Sequence, residues 1–91
     1  MVKVVWRREA LDELRRIIRY INQFDPVAAD NMGMRLYDLG ESLRDFPDRG
    51  RPGKDDTREL TTEPPYIIRY AVEEEQVVVL SIRHGRQRPG R

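Results

Sequence analysis

An α+β domain in the order β-α-α-β-β-β, with a helical hairpin laid on one face of a small antiparallel sheet, is the fold class this sequence predicts. Three observations carry it. Apolar residues recur at helical spacing through the first half, in two stretches divided by Asp25-Pro26. Two β-rich runs, Tyr66 to Val72 and Gln76 to Ile82, fill the second half. A segment rich in Pro and Gly, Pro47 to Asp56, stands between the halves and reads as a loop.

Each element follows from its residues. Val2 to Trp6 is apolar and β-branched, which makes a first strand. A helix from about Glu9 to Gln23 carries Leu11, Leu14, Ile17, Ile18 and Ile21 as one stripe. Glu9, Asp12 and Glu13 lie toward its start and Arg15, Arg16 and Arg19 toward its end, the distribution that the helix dipole favours. Asp25 can cap a second helix with Pro26 at its first position. That helix should reach about Phe46, with Ala29, Met32, Leu36, Leu39, Leu43 and Phe46 as a seam for packing on another helix. Gly33 and Gly40 follow seam positions, where close approach of a neighbouring backbone would justify their cost in helix propensity. The short connection at Phe24-Asp25-Pro26 makes the helices antiparallel. Strands are then expected at about Thr57 to Thr61, Tyr66 to Val72 and Gln76 to Ile82, with Glu73-Glu74-Glu75 as the turn between the last two. In the middle one, Tyr66, Ile68, Tyr70 and Val72 should share one face and Ile67, Arg69 and Ala71 the other. Tyr20, Tyr37 and Tyr70 read as edges of the core.

Residues 1–91 are expected to form one domain. A chain of this length buries a limited fraction of its surface and gains from a partner. The 17 basic and 16 acidic residues nearly cancel, so bulk charge does not point to nucleic acid. Their distribution says more. Arg supplies all of the basic residues but Lys3 and Lys54, and Arg83, Arg86, Arg88 and Arg91 close the sequence with no acid among them. Arginines planted on a sheet and followed by a basic tail suit an anionic surface, on protein or nucleic acid. The chain has no cysteine, which removes disulfides, thiolate metal sites and cysteine nucleophiles and fits a reducing cytoplasm. Its one histidine, His84, removes a His–His metal site. No cofactor or metal is expected. No apolar run approaches the roughly 20 residues of a membrane span. Gly50-Arg51-Pro52-Gly53 is a turn and not a phosphate loop, since it lacks the Gly-Lys-Ser/Thr ending.

Several short pieces, taken in order, resemble the RelE/ParE superfamily of toxins from bacterial type II toxin–antitoxin modules. They are the strand ending in Trp6; Ala10-Leu11-Asp12-Glu13-Leu14 with Ile17, Tyr20 and Ile21; Asp25-Pro26-Val27-Ala28-Ala29; and Leu43 with Phe46-Pro47 and Gly50-Arg51-Pro52-Gly53. Arg58-Glu59-Leu60, Pro65-Tyr66, Tyr70 and Val79-Leu80-Ser81-Ile82-Arg83-His84-Gly85 complete the series. Together they span nearly the whole chain.

The resemblance implies a toxin neutralised by a cognate antitoxin, and it leaves the target open. ParE-like members bind DNA gyrase and poison it by protein contact. RelE-like members cut messenger RNA on the ribosome without a metal. A third possibility is a non-toxic binding module of the same fold. A metal-independent ribonuclease needs a base, cations for the crowded phosphate and an acid. Arg58, Arg69 and Arg83 would hold the phosphate and His84 would be the acid; Arg58, Arg69 and His84 fall near positions that carry such roles in nuclease-type relatives. Against this, Lys54 is the one lysine of the loop and Gly85, not an aromatic residue, follows His84. The sequence therefore sits closer to the ParE branch. On that reading Arg83, Arg86, Arg88 and Arg91 engage the target, and Trp6, Arg58 and Arg69 meet the antitoxin.

Overall fold

The computed structural model describes residues 2–85, so Arg86, Arg88 and Arg91 lie outside the described residues. Strand β1, Lys3–Trp6, leads directly into helix α1, Arg8–Asn22. Asp25 caps helix α2, Pro26–Glu41, by accepting a hydrogen bond from the Ala28 N–H at 3.1 Å, and Pro26 opens that helix. A 3-10 turn, Ser42–Arg44, follows, and then strands β2 (Arg51–Pro52), β3 (Thr57–Glu63), β4 (Tyr66–Val72) and β5 (Gln76–His84).

The five strands form one sheet in the order β1-β5-β4-β3-β2. From β2 to β5 every neighbour is antiparallel, and Glu73 N–H donates to the Gln76 carbonyl in the expected acidic turn. The sheet is nonetheless mixed, because β1 runs parallel to β5, with Val4 opposite Val77 and Trp6 opposite Val79. The chain thus leaves one edge of the sheet, crosses it as the helical hairpin, and returns strand by strand to its starting point. A bulge between Arg69 and Tyr70 sets Leu80 out of register on β5.

The hairpin covers one face. Ala10, Leu14, Leu36 and Leu43 pack there against Leu60, Ile68, Tyr70, Val77, Val79 and Ile82, with Met32 and Leu39 half-buried beside them. Ile68 and Tyr70 are buried while Ile67, Arg69 and Ala71 lie on the other face, so the alternation expected of β4 is present.

Four expectations need correction. α2 ends at Glu41, not near Phe46, because the chain tightens into the 3-10 turn; Phe46 is then 62% exposed and is no part of the seam. The expected loop contains the two-residue edge strand β2. Tyr20 is 61% exposed, stacked edge-on against Phe24 instead of lining the core. The glycines of α2 make room for side chains, not for backbone: Gly33 faces Ile18, and Gly40 faces the indole of Trp6.

Gly40 matters for how β1 meets α2. The Trp6 ring lies over it, stacks on Tyr37 at 5.4 Å between centroids, and donates its indole N–H to Glu41 at 2.8 Å. A Cβ at position 40 would overlap the rigid ring, lying 2.7 Å from Cη2, whereas at position 33 it would meet the movable end of Ile18 at 2.8 Å. Alanine in a helix gains about 1 kcal/mol over glycine, but overpacking costs about 1–3 kcal/mol. Gly40→Ala is expected to lower the unfolding midpoint and Gly33→Ala to leave it nearly unchanged, as read by thermal denaturation of the two variants.

Candidate functional site

Residues opposite one another in a ladder share a face, so the register places each candidate cation. Arg58 lies opposite Tyr70 and Pro52, on the face that carries the helices. Arg69 lies opposite Glu59 on β3 and Ser81 on β5, on the uncovered face. Arg83 lies opposite Ile67 on that same uncovered face, and His84 lies opposite Tyr66 on the helix side. The four residues proposed for nuclease chemistry are thereby divided between the two sides of the sheet.

Their partners divide them further. Arg58 donates to the carbonyl of Gly50 at 2.7 Å and to that of Asp48 at 3.3 Å, with its Nε 3.9 Å from the Asp48 carboxylate. The buried Tyr70 phenol works beside it, accepting from the Gly50 N–H at 2.9 Å and donating to the Pro47 carbonyl at 2.8 Å. These two side chains fasten the segment from Pro47 to Gly50 to the sheet. Burial pushes the Tyr70 phenol above its ordinary value, the Gly50 amide and Arg58 acting the other way. Arg69 donates its Nε to the Thr57 hydroxyl at 3.3 Å. His84 packs edge-on against the Tyr66 ring, 5.7 Å between centroids.

Tyr66, Ile82, Arg83 and His84 border a cleft of about 720 Å³ between α1 and the far end of β5, with Glu13, Arg16, Ile17 and Tyr20 on its helical wall. The Glu13 carboxylate reaches across it to accept the Ile82 N–H at 2.9 Å. Burial raises the Tyr66 phenol, and Tyr20 adds to the effect.

Arg83 also reaches a second cluster, one that the sequence did not reveal. One Glu59 carboxylate oxygen accepts Nε and Nη2 of Arg51 at 3.3 and 3.1 Å, and the other accepts Nη2 of Arg83 at 3.1 Å. Glu59 and Arg83 are only 14% and 16% exposed, while Arg51 is 61% exposed. Burial alone would raise the Glu59 carboxyl, but the two arginines outweigh it and hold the group below its ordinary value. Arg58, next to Glu59 in sequence, takes no part in this cluster and is held by backbone carbonyls and Asp48 instead. Alternation along each strand was a usable signal for the shared face; the pairing of β2 and β5 with β3 and β4, which brings Arg51 and Arg83 to one carboxylate, was not.

Trp6 is half-buried against α2, as described above, with Tyr37 stacked on it. Among the described residues no group of His, Cys, Asp or Glu is placed to hold a metal ion, and no helix is long and apolar enough to cross a membrane.

Residues 4–89 match the family model of the ParE toxin of type II toxin–antitoxin systems. The chain belongs to the ParE toxin family. Toxin RelE2 of Caulobacter vibrioides is 45% identical over 85 residues, covering 93% of this chain and 97% of that protein. Putative toxin Y4kP of Sinorhizobium fredii is 36% identical over 87 residues, covering 93% and 90%. A chain of the chromosomal ParDE toxin–antitoxin system from P. aeruginosa superposes with a TM-score of 0.83 at 22% identity, over 92% of this chain and 96% of that one. HP0894 from Helicobacter pylori superposes with a TM-score of 0.56 at 19% identity, over 92% and 94%. Two helices on a five-stranded sheet are therefore a fold this ParE-family toxin shares, and membership implies a cognate antitoxin as partner.

Two outcomes follow from these contacts. Tyr70→Phe strands the buried Gly50 N–H and the Pro47 carbonyl, at a cost of about 1–3 kcal/mol; thermal unfolding should show a drop of roughly 4–8 °C per kcal/mol in a domain of this size. Because the folded Glu59 carboxyl is held below the ordinary value of 4.5, its contribution is present above that pH and is lost as the pH falls through the lowered folded value. Glu59→Gln should flatten the acid limb of the unfolding midpoint plotted against pH.

Proposed function

We propose that this toxin acts in the manner of ParE-like members, poisoning DNA gyrase by protein–protein contact in the cytoplasm and held in check by its antitoxin. The observation that carries this reading is the dispersal of the nuclease candidates. Arg58 is committed to the carbonyls of Asp48 and Gly50 and Arg83 to Glu59; His84 shares a cleft with Arg83 but lies on the opposite face of the sheet from Arg69, so the four do not converge. A general acid and phosphate-binding cations have to converge on one phosphate to work together. The match to the ParE family model supports the same branch. The target surface on this reading includes Arg83 and the basic residues Arg86, Arg88 and Arg91, whose steering of an acidic partner would weaken with salt. The antitoxin would contact the Trp6 and Arg69 surfaces, with Arg58 at their margin.

The competing reading, a ribosome-dependent mRNA endonuclease using Arg58, Arg69, Arg83 and His84, takes its support from the name Toxin RelE2 of the 45% identical relative. The two separate cleanly by experiment. Purified toxin should inhibit supercoiling by gyrase and leave message intact on translating ribosomes. His84→Ala should keep its toxicity on induction, whereas loss of a general acid would cost roughly 100- to 10,000-fold in rate. Message cleavage with normal supercoiling, or a folded, antitoxin-binding His84→Ala variant that is harmless, would overturn the gyrase reading.

A further inference from the structure

We propose that Glu59 is a resident counter-anion, filling an oxyanion site between Arg51 and Arg83 and so keeping nucleic-acid phosphates off the uncovered face of the sheet. The inference goes beyond the gyrase reading and does not depend on it. Three N–H donors, from strands on either side of β3 and β4, converge on the Glu59 carboxylate at 3.1 to 3.3 Å. A phosphodiester presents two anionic oxygens of the same kind to the same guanidinium geometry. With the carboxylate in place those donors are spent on the chain itself. Arg69, opposite Glu59 in the register, completes a row of three cations set around one anion.

The pair between Glu59 and Arg83 is largely withdrawn from water, so the carboxylate is held firmly and is not a loose surface partner. Burial would raise the Glu59 carboxyl, but Arg51 and Arg83 hold it below its ordinary value and so keep it charged in this pair. Among the described residues this face carries Ile67, Ala71 and Ser81 between the charges, with Thr57 and Val78 buried, and no aromatic ring on which a base could stack. A nucleic acid bound there would be held through its phosphates alone, with little preference for sequence and a steep dependence on salt.

Replacing Glu59 by Gln keeps the size and removes the charge. The amide oxygen can still serve one arginine, but its NH₂ group then confronts the other, donor against donor, and the carboxylate's hold on that guanidinium is lost. The test uses the full chain as wild type, Glu59→Gln and the double variant Glu59→Gln/Arg83→Gln, with a fluorescein-labelled single-stranded RNA decamer as probe. Glu59→Gln is expected to bind about 10-fold more tightly than wild type, the effect of one added favourable contact of roughly 1.4 kcal/mol. Its salt dependence should steepen by about 0.7 in log–log slope for one further phosphate contact. The double variant should return to the wild-type affinity. Arginine Nε–Hε resonances of the wild type, titrated with inorganic pyrophosphate, give a second measurement that needs no variant to fold. The signals of Arg51 and Arg83 should stay in place at concentrations that move other arginines. A folded Glu59→Gln chain with unchanged RNA affinity, or pyrophosphate that shifts Arg51 and Arg83 in the wild type, would overturn the proposal.

Discussion

The parallel pairing of β1 with β5 constrains the rest of the molecule. A chain whose first and last strands lie side by side has to reach the far edge of the sheet and come back by antiparallel steps. The helical hairpin makes the outward journey, and it does so over one face. Among the described residues, most of what is buried and apolar is gathered there, from Ala10 and Leu36 to Tyr70 and Val79, with Val78 on the other side. No helix among the described residues lies on the opposite face, which carries Thr57, Glu59, Arg69, Ser81 and Arg83. The arginines of this sheet are in that sense a product of topology before they are a product of function.

That division explains how differently two neighbouring charged residues behave. Arg58 and Glu59 are adjacent in sequence and point to opposite sides of β3. Arg58 joins the Tyr70 phenol in holding a loop that would otherwise leave backbone groups of Gly50 and Pro47 without partners. Glu59 joins two arginines that are far apart in sequence. A cation on a strand of a toxin fold invites a catalytic reading, yet the geometry gives Arg58 a mainly architectural task.

Much of this was legible in the sequence, and the remainder has a common cause. The helix starts were written locally, in Asp25-Pro26 and in the apolar stripes, and the two-residue periodicity of β4 gave its buried face correctly. The mixed character of the sheet was not written locally, because nothing near Lys3–Trp6 names a partner more than 70 positions away. The brief β2 strand was hidden by Pro52 and Gly53, which read as loop. The end of α2 was misplaced because Leu43 continues the seam spacing even though the backbone has tightened beneath it. The cluster around Glu59 failed for the same reason as β1: alternation tells which face a side chain takes, but only the strand order tells which side chains meet.

The reach of Glu13 to the Ile82 amide has a consequence for how copies of this chain meet one another. β1 stops pairing at Val79, so the outer edge of β5 beyond that point has no strand beside it. A bare edge of this kind is a template on which a second sheet can grow, the usual start of edge-to-edge aggregation. Here a carboxylate from α1 sits on the amide that such a strand would need, and its charge repels an approaching carbonyl. At the other end of the sheet β2 is two residues long and one of them, Pro52, has no amide to offer. Each flank of the sheet thus carries one residue that hinders the addition of a strand, Glu13 beside β5 and Pro52 in β2.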